Sequence, residues 1–181
     1  MTARIRETRP PLRPVVAERL ASIMPKGVLP LLLFATMARN ARLFERFAAG
    51  GLIDRGHLTS RQREIVIDRV TALCGWEYEW GVHIAFFAAR AGLTAAQVRA
   101  TTTENADDPT WTDEDRALIR ACDQLHRTCD LDDSSWRDLR THFPEEAILE
   151  VLMLAGYYRT VSYLTNALRL PLETYGARFP K

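Results

Sequence analysis

The chain has 181 residues, 47% hydrophobic and 26% charged, which fits one domain with its own core. A formal net charge of +1 gives no bulk attraction to nucleic acid or to an anionic membrane, so neither is expected as a partner. Three cysteines, Cys74, Cys122 and Cys129, are odd in number and widely spaced, which argues against a disulfide framework and for reduced thiols in a cytoplasm.

Residues 1–14 carry three prolines and four arginines and read as an extended arm, either unstructured or lying on a partner subunit. No apolar stretch follows them of the kind a secretory signal needs. From Val15 to the end the pattern is that of a single helical domain. "VVAERLASIM" has helical spacing and stops before Pro25. "LPLLLFATMARNARLFERFAAGG" continues as helix to the stop at Gly50 and Gly51, and the apolar run at its start holds a proline and is too short to span a bilayer. "LTSRQREIVIDRVTALCG" opens on Thr59 or Ser60 as cap, with Ile65, Val66, Val70 and Leu73 marking a buried stripe.

"WEYEWGVHIAFFAARAGL" is a further helix, ending at Gly92, and "TAAQVRATT" a short one with Thr94 as cap. Thr112 precedes three acids at the head of "TDEDRALIRACDQLHRTC", a favourable N-terminus for the helix dipole. "DDSSWRDLRTHF" is short and amphipathic. "PEEAILEVLMLAGYYRTVSYLTNALRL" starts on proline and two acids and stays apolar for most of its length. Almost nothing alternates with period two, so the fold class is all-α.

The stretch "CGWEYEWGVH" puts two tryptophans, a tyrosine, two glutamates and a histidine into ten residues. Glu79 and His83 are four apart and share a helix face, with Trp76, Trp80 and Phe87 flanking the same stripe and Glu77 and Gly81 pointing elsewhere. Glu64 lies on the preceding helix. On one straight helix it would sit roughly 20 Å or more from His83, at about 1.5 Å per residue. A break at Cys74-Gly75 folds the chain back and brings Glu64 level with His83. The sequence thus permits a Glu64–His83–Glu79 cluster. Carboxylates favour the charged imidazole while aromatic burial opposes it, and such a set can act as general acid and base near neutral pH. An exposed Glu–His pair with a solvated Glu64 accounts for the same spacing.

These residues resemble the core of the carboxymuconolactone decarboxylase and alkylhydroperoxidase D-like family. The peroxidase branch has a glutamate, eleven residues, CxxC, three residues and a histidine; the glutamate falls on Glu64, the histidine on His83, and the cysteines on Trp76 and Glu79. The segment is similar to a branch carrying "YEW" before the histidine, here Tyr78-Glu79-Trp80. The order of flanking elements extends the likeness over roughly residues 25–175. The resemblance implies an alkylhydroperoxidase D-like helical domain over 15–181, built around a helical hairpin, and homo-oligomers (dimers, trimers or hexamers) with sites near subunit interfaces.

Disulfide-based peroxide reduction needs a thiolate and a resolving thiol. With both motif cysteines replaced and Cys74 alone nearby, CxxC-type peroxidase activity is not expected. Glu79, His83 and Glu64 remain as a catalytic acid–base set, which points to a cofactor-independent decarboxylase or isomerase acting on a small carboxylated or enolisable ring compound. Trp76, Trp80 and Phe87 would hold its ring, and Arg159 would clamp a carboxylate or else pair with Glu150 or a neighbouring subunit. A non-catalytic, oligomeric small-molecule-binding protein of the same fold is the alternative. Cys122, His126 and Cys129 can share a helix face, but buried cysteines on such a face act more often as small hydrophobes, and no metal is expected. His57 and His142 read as solvated, and Trp111 and Trp136 as core or staple residues.

Overall fold

A computed structural model describes residues 3–8, 11–24, 27–103 and 106–180. Within them the chain is all-α, with no strand: α1 Pro14–Ile23, α2 Leu32–Met37, α3 Ala41–Ala49, α4 Ser60–Leu73, α5 Glu77–His83, α6 Ala95–Ala100, α7 Asp113–Thr128, α8 Asp133–His142 and α9 Glu145–Leu168. A π-helical turn, Ile84–Ala88, continues α5.

The starts follow the sequence closely. Thr59, Thr94 and Thr112 each close a reciprocal capping box with the residue three further on, satisfying donors that a helix start leaves free. Asn40 accepts from Leu43 N and starts α3, so the apolar stretch before Gly50 is two helices rather than one. Pro25, expected to stop α1, lies outside the described residues, as do the first two residues of the arm and its Arg9 and Pro10. The described arm residues lie on their own chain: Arg4 N donates to Leu168 O and Thr8 N to Ala35 O.

α4 is the centre of the fold, packed on α5, α7 and α9. It is buried on every side from Glu64 to Thr71, not on a stripe alone, while Leu73 is half-buried. A helix enclosed this way needs partners for its polar residues. Arg69 finds them: its Nε donates to Asp123 at 2.6 Å and its Nη1 to Thr101 O at 3.0 Å and to Thr103 O.

α4 ends at Cys74, and Gly75 takes φ +70°, the left-handed conformation that reverses the chain. The helical hairpin α4–α5 follows directly. The C-terminal segment then straps α5. Glu173 accepts from Leu32 N (2.7 Å) and Tyr78 Oη (2.5 Å), and Ala177 N donates to Gly81 O (2.9 Å). Gly81 permits this approach, since a Cβ there would sit 2.4 Å from Ala177 O. No helix among the described residues is long and apolar enough to cross a membrane.

Candidate functional site

The hairpin brings Glu64, Glu79 and His83 together. His83 Nδ1 lies 2.8 Å from Glu64 Oε2, and Nε2 lies 3.6 Å from Glu79 Oε1. All three residues are buried. Burial is the largest single influence on His83 and favours the neutral ring, but the charge and hydrogen bond of Glu64, joined by Glu79, outweigh it and push the pKa up to about 10. At neutral pH the ring is therefore an imidazolium, with Nδ1–H donating to Glu64 and Nε2–H directed at Glu79.

Two rings fix the imidazole. Phe87 lies 5.1 Å away at 32° and Tyr158 5.0 Å away, edge-on. The π turn begins immediately after His83 and alters the helical advance at that point, a local feature common at functional sites. Phe86 and Phe87 both face the same space as His83.

That space is a cavity of about 520 Å³, within the range of small-molecule sites. Its walls are largely apolar, from α1, α2, α3, the π turn and α9, and Glu79 and His83 form its buried polar end. Glu79 Oε2 is buried there without a hydrogen bond to any described residue. The loop behind it is strained at Leu52, which takes φ +45°.

Sequence reasoning missed Asp68, one turn beyond Glu64 on α4. It is fully buried, and neither carboxylate oxygen has a hydrogen-bond partner among the described residues. Burial holds its pKa well above the usual carboxylate range, Glu64 adds to that, and the His83 charge works against it. Asp68 is thus a buried carboxyl whose environment favours its protonated form, close to the Glu64–His83 pair. The signal for it was present: a carboxylate four residues after Glu64 inside the apolar run "IVIDRV".

Other expected site residues lie elsewhere. Phe87 lines the cavity, but Trp80 does not: its Nε1 donates to Thr101 Oγ1 at 2.9 Å and its ring packs on Phe179 at 5.0 Å. Trp76 lies at the turn of the hairpin, in a depression with Leu170, Pro171 and Phe179. Being the N-cap of α5, Trp76 sits outside the helical register that the spacing assumed. Arg159 donates to Tyr163 Oη and to His126 O, both at 2.8 Å, and faces a separate cavity of about 190 Å³. Glu150, one of the alternative partners for Arg159, accepts from the backbone of His57 and Leu58.

Cys122, His126 and Cys129 line that second cavity. No group of described residues is arranged to hold a metal. Cys122 is buried and its thiol is pushed up to about 12 by that burial. Cys74 caps α4 and does not line the main cavity. Trp111 is core, whereas Trp136 is exposed.

Residues 38–122 match the family model of the carboxymuconolactone decarboxylase family. The central segment of the chain is carboxymuconolactone decarboxylase-like. It contains the whole α4–α5 hairpin and, with it, Glu64, Asp68, Glu79 and His83. A comparison with curated proteins finds no match. Among solved structures, an uncharacterized peroxidase-related protein from Silicibacter sp. TM1040 is similar at TM-score 0.80 and 15% identity, covering 92% of this chain and 88% of the other. An alkylhydroperoxidase AhpD core protein from Ralstonia eutropha JMP134, described as an uncharacterized peroxidase-related protein, gives 0.77 and 17%, covering 95% and 93%. The debrominase Bmp8 in its apo form gives 0.77 and 15%, covering 94% and 92%. At these identities the likeness is one of fold, and the fold is alkylhydroperoxidase D-like.

Proposed function

We propose that the chain is a cofactor-independent decarboxylase or isomerase that moves a proton on a small carboxylated or enolisable ring compound, in a branch of the family lacking the CxxC pair. The observation that carries this reading is Glu79: a buried carboxylate with one unpartnered oxygen, at the closed end of an apolar cavity, next to a charged imidazole.

Glu79 is the base that takes a proton from carbon beside a carbonyl, leaving the electron pair in the enolate. Return of that proton at another carbon completes an isomerisation. In a decarboxylation the bond to the carboxylate breaks, its pair enters the carbonyl, carbon dioxide leaves, and the carbanion takes a proton delivered through Glu79. His83 stabilises negative charge and exchanges protons with Glu79, and Glu64 orients the imidazole and keeps it charged. The substrate's own carbonyl is the electron sink, so this chemistry calls for no bound cofactor. A Bmp8 variant with a cysteine replaced by alanine has been seen with 2,3,4-tribromopyrrole bound, which supports a flat ring compound as occupant of such a fold.

Cyclic β-keto acids, unsaturated lactone acids and enolisable cyclic ketones, incubated in D2O and followed by NMR, test the reading. Exchange or turnover is expected with one of these classes, and Glu79→Gln is expected to lower it roughly a hundredfold or more, the usual worth of a general base. No exchange with any class, or exchange unaffected by Glu79→Gln, refutes it. The alternative, an oligomeric binding protein, draws on the 2.8 Å Glu64–His83 bond, which ties α4 to α5 whether or not chemistry follows. Assembly as a homo-oligomer is proposed with either reading; Leu149, Met153 and Tyr163 are exposed on α9.

A further inference from the structure

The cavity has a second polar end. Arg19, on α1, and Arg90, just beyond the π turn, both line it. Arg90 is exposed and Arg19 half-buried, whereas Glu79 and His83 are buried, so the two guanidiniums mark the solvent side and the acid–base pair the inner side.

Neither guanidinium is well used within the chain. Arg19 Nε is shielded from solvent yet has no hydrogen-bond partner among the described residues, and its ion pair with Glu45 is long, at 4.0 Å between half-exposed side chains. Arg90 makes no hydrogen bond or ion pair with a described residue. Asp54 is the one other carboxylate on the lining besides Glu79, and its backbone carbonyl accepts from Arg63. Glu45 faces Arg19 and Asp54 lies on the lining, so Arg90 is the cation at the mouth that no described carboxylate meets, while Arg19 keeps only its long contact with Glu45. The apolar walls of the same cavity include Phe34, Phe47, Phe86 and Phe87.

We propose that Arg19 and Arg90 form an anion-recognition subsite at the mouth of the cavity, which selects compounds carrying a carboxylate at the end opposite the reacting carbon. The proposal rests on the reading of Glu79 as the reacting end. It fixes orientation as well as class: an apolar ring lies against the phenylalanines, its carboxylate faces solvent and the arginines, and its enolisable carbon meets Glu79. A planar guanidinium with an unsatisfied Nε–H suits this task, since carboxylate recognition by arginine uses paired N–H donors. The carboxylate so held is not the one that a decarboxylation removes.

The test uses 2-naphthoate and 2-naphthamide, nearly isosteric aromatic probes that differ in charge. Binding of each is measured by calorimetry to the wild-type protein and to the Arg19→Gln, Arg90→Gln and doubly substituted forms. The expected result is a wild-type preference for the anion of about tenfold or more, falling below about threefold in the double variant while naphthamide affinity stays the same. The preference should also shrink as salt rises. A wild type that binds neither probe, or both equally, overturns the proposal, as does a preference that survives the double substitution. Unchanged naphthamide binding in the variants shows that the cavity is still formed, so loss of preference is not loss of fold. Glu79→Gln should leave the naphthoate preference in place, so failure of the proton-transfer reading and failure of the anion subsite give different results.

Discussion

Glu64→Gln changes the pH dependence of stability by an amount the site geometry sets. In the folded chain His83 is raised from 6.5 to about 10, and Glu64 supplies the largest upward influences. A histidine raised on folding contributes stability that is fully present below its unfolded value and is lost as pH climbs through its folded value. The window is therefore pH 6.5 to about 10. Across it the loss amounts to about 5 kcal/mol, at about 1.36 kcal/mol per pH unit. Between pH 7 and 9 the wild-type protein should lose about 3 kcal/mol through His83 alone. In Glu64→Gln, burial is opposed only by Glu79, the folded value falls, and most of this slope disappears. Cys122 is also raised, without help from Glu64, so it tilts both proteins alike, whereas Asp68 and Tyr158 are raised in part by Glu64 and share in the difference between the two curves. Urea unfolding at half-unit steps from pH 6 to 9.5 measures the slopes, and nitrogen-detected NMR of the imidazole follows His83 directly. Equal slopes in the two proteins, or a wild-type His83 that titrates between 6 and 7, would refute the coupling described above.

Glu79→Gln should stay within about 1 kcal/mol of wild type at pH 7, because Glu79 has one unpartnered oxygen and a 3.6 Å approach to His83. Glu64→Gln should cost about 3 kcal/mol at the same pH, the range for breaking a buried pair, and urea midpoints separate the two. Asp68→Asn should be at least as stable as wild type at neutral pH. A carboxyl raised on folding loses stability as pH rises above the unfolded 3.8, and the amide removes that loss, so the variant's advantage should grow from pH 4 to 7 in thermal unfolding. Exposed Cys129 should react with iodoacetamide in the native protein while Cys122 reacts only on unfolding, as read by mass spectrometry of the labelled peptides.

Much of the fold was legible because its boundaries are written in local chemistry. Thr59, Thr94 and Thr112 are caps with the right residue three positions later, and Gly75 is where the chain must reverse. Once the hairpin is placed, the Glu64–His83 contact follows from counting residues on either side of it. The aromatic residues were harder. Spacing on an ideal helix put Trp76, Trp80 and Phe87 on one stripe, but Trp76 precedes the helix and a π turn follows His83. Which way Trp80 faces was decided by residues distant in sequence, Thr101 and Phe179. The cavity was out of reach for the same reason, since α1, α3 and α9 supply its walls from widely separated parts of the chain.

Three ionisable residues on α4 are buried alike but treated differently. Arg69 is met by Asp123 and by the carbonyls of Thr101 and Thr103, so its charge is compensated and it ties α4 to α7 and to the segment after α6. Glu64 is met by one imidazole, which it keeps charged. Asp68 has no hydrogen-bond partner among the described residues, and burial pushes its pKa well above the usual carboxylate range. A helix serving structure alone would do better with an apolar residue at Asp68, because an unpartnered buried carboxyl costs stability that packing does not return. The cost falls one turn from Glu64, on the side of the helix where His83 and the cavity lie. The upward shift of Asp68 weakens the negative charge that would otherwise stand beside Glu64 on that side of α4. A fully ionised group there would place two negative charges behind one ring. The raised pKa of Asp68 thus belongs to the same electrostatic arrangement that raises His83 and leaves Glu79 with an oxygen open to a ligand.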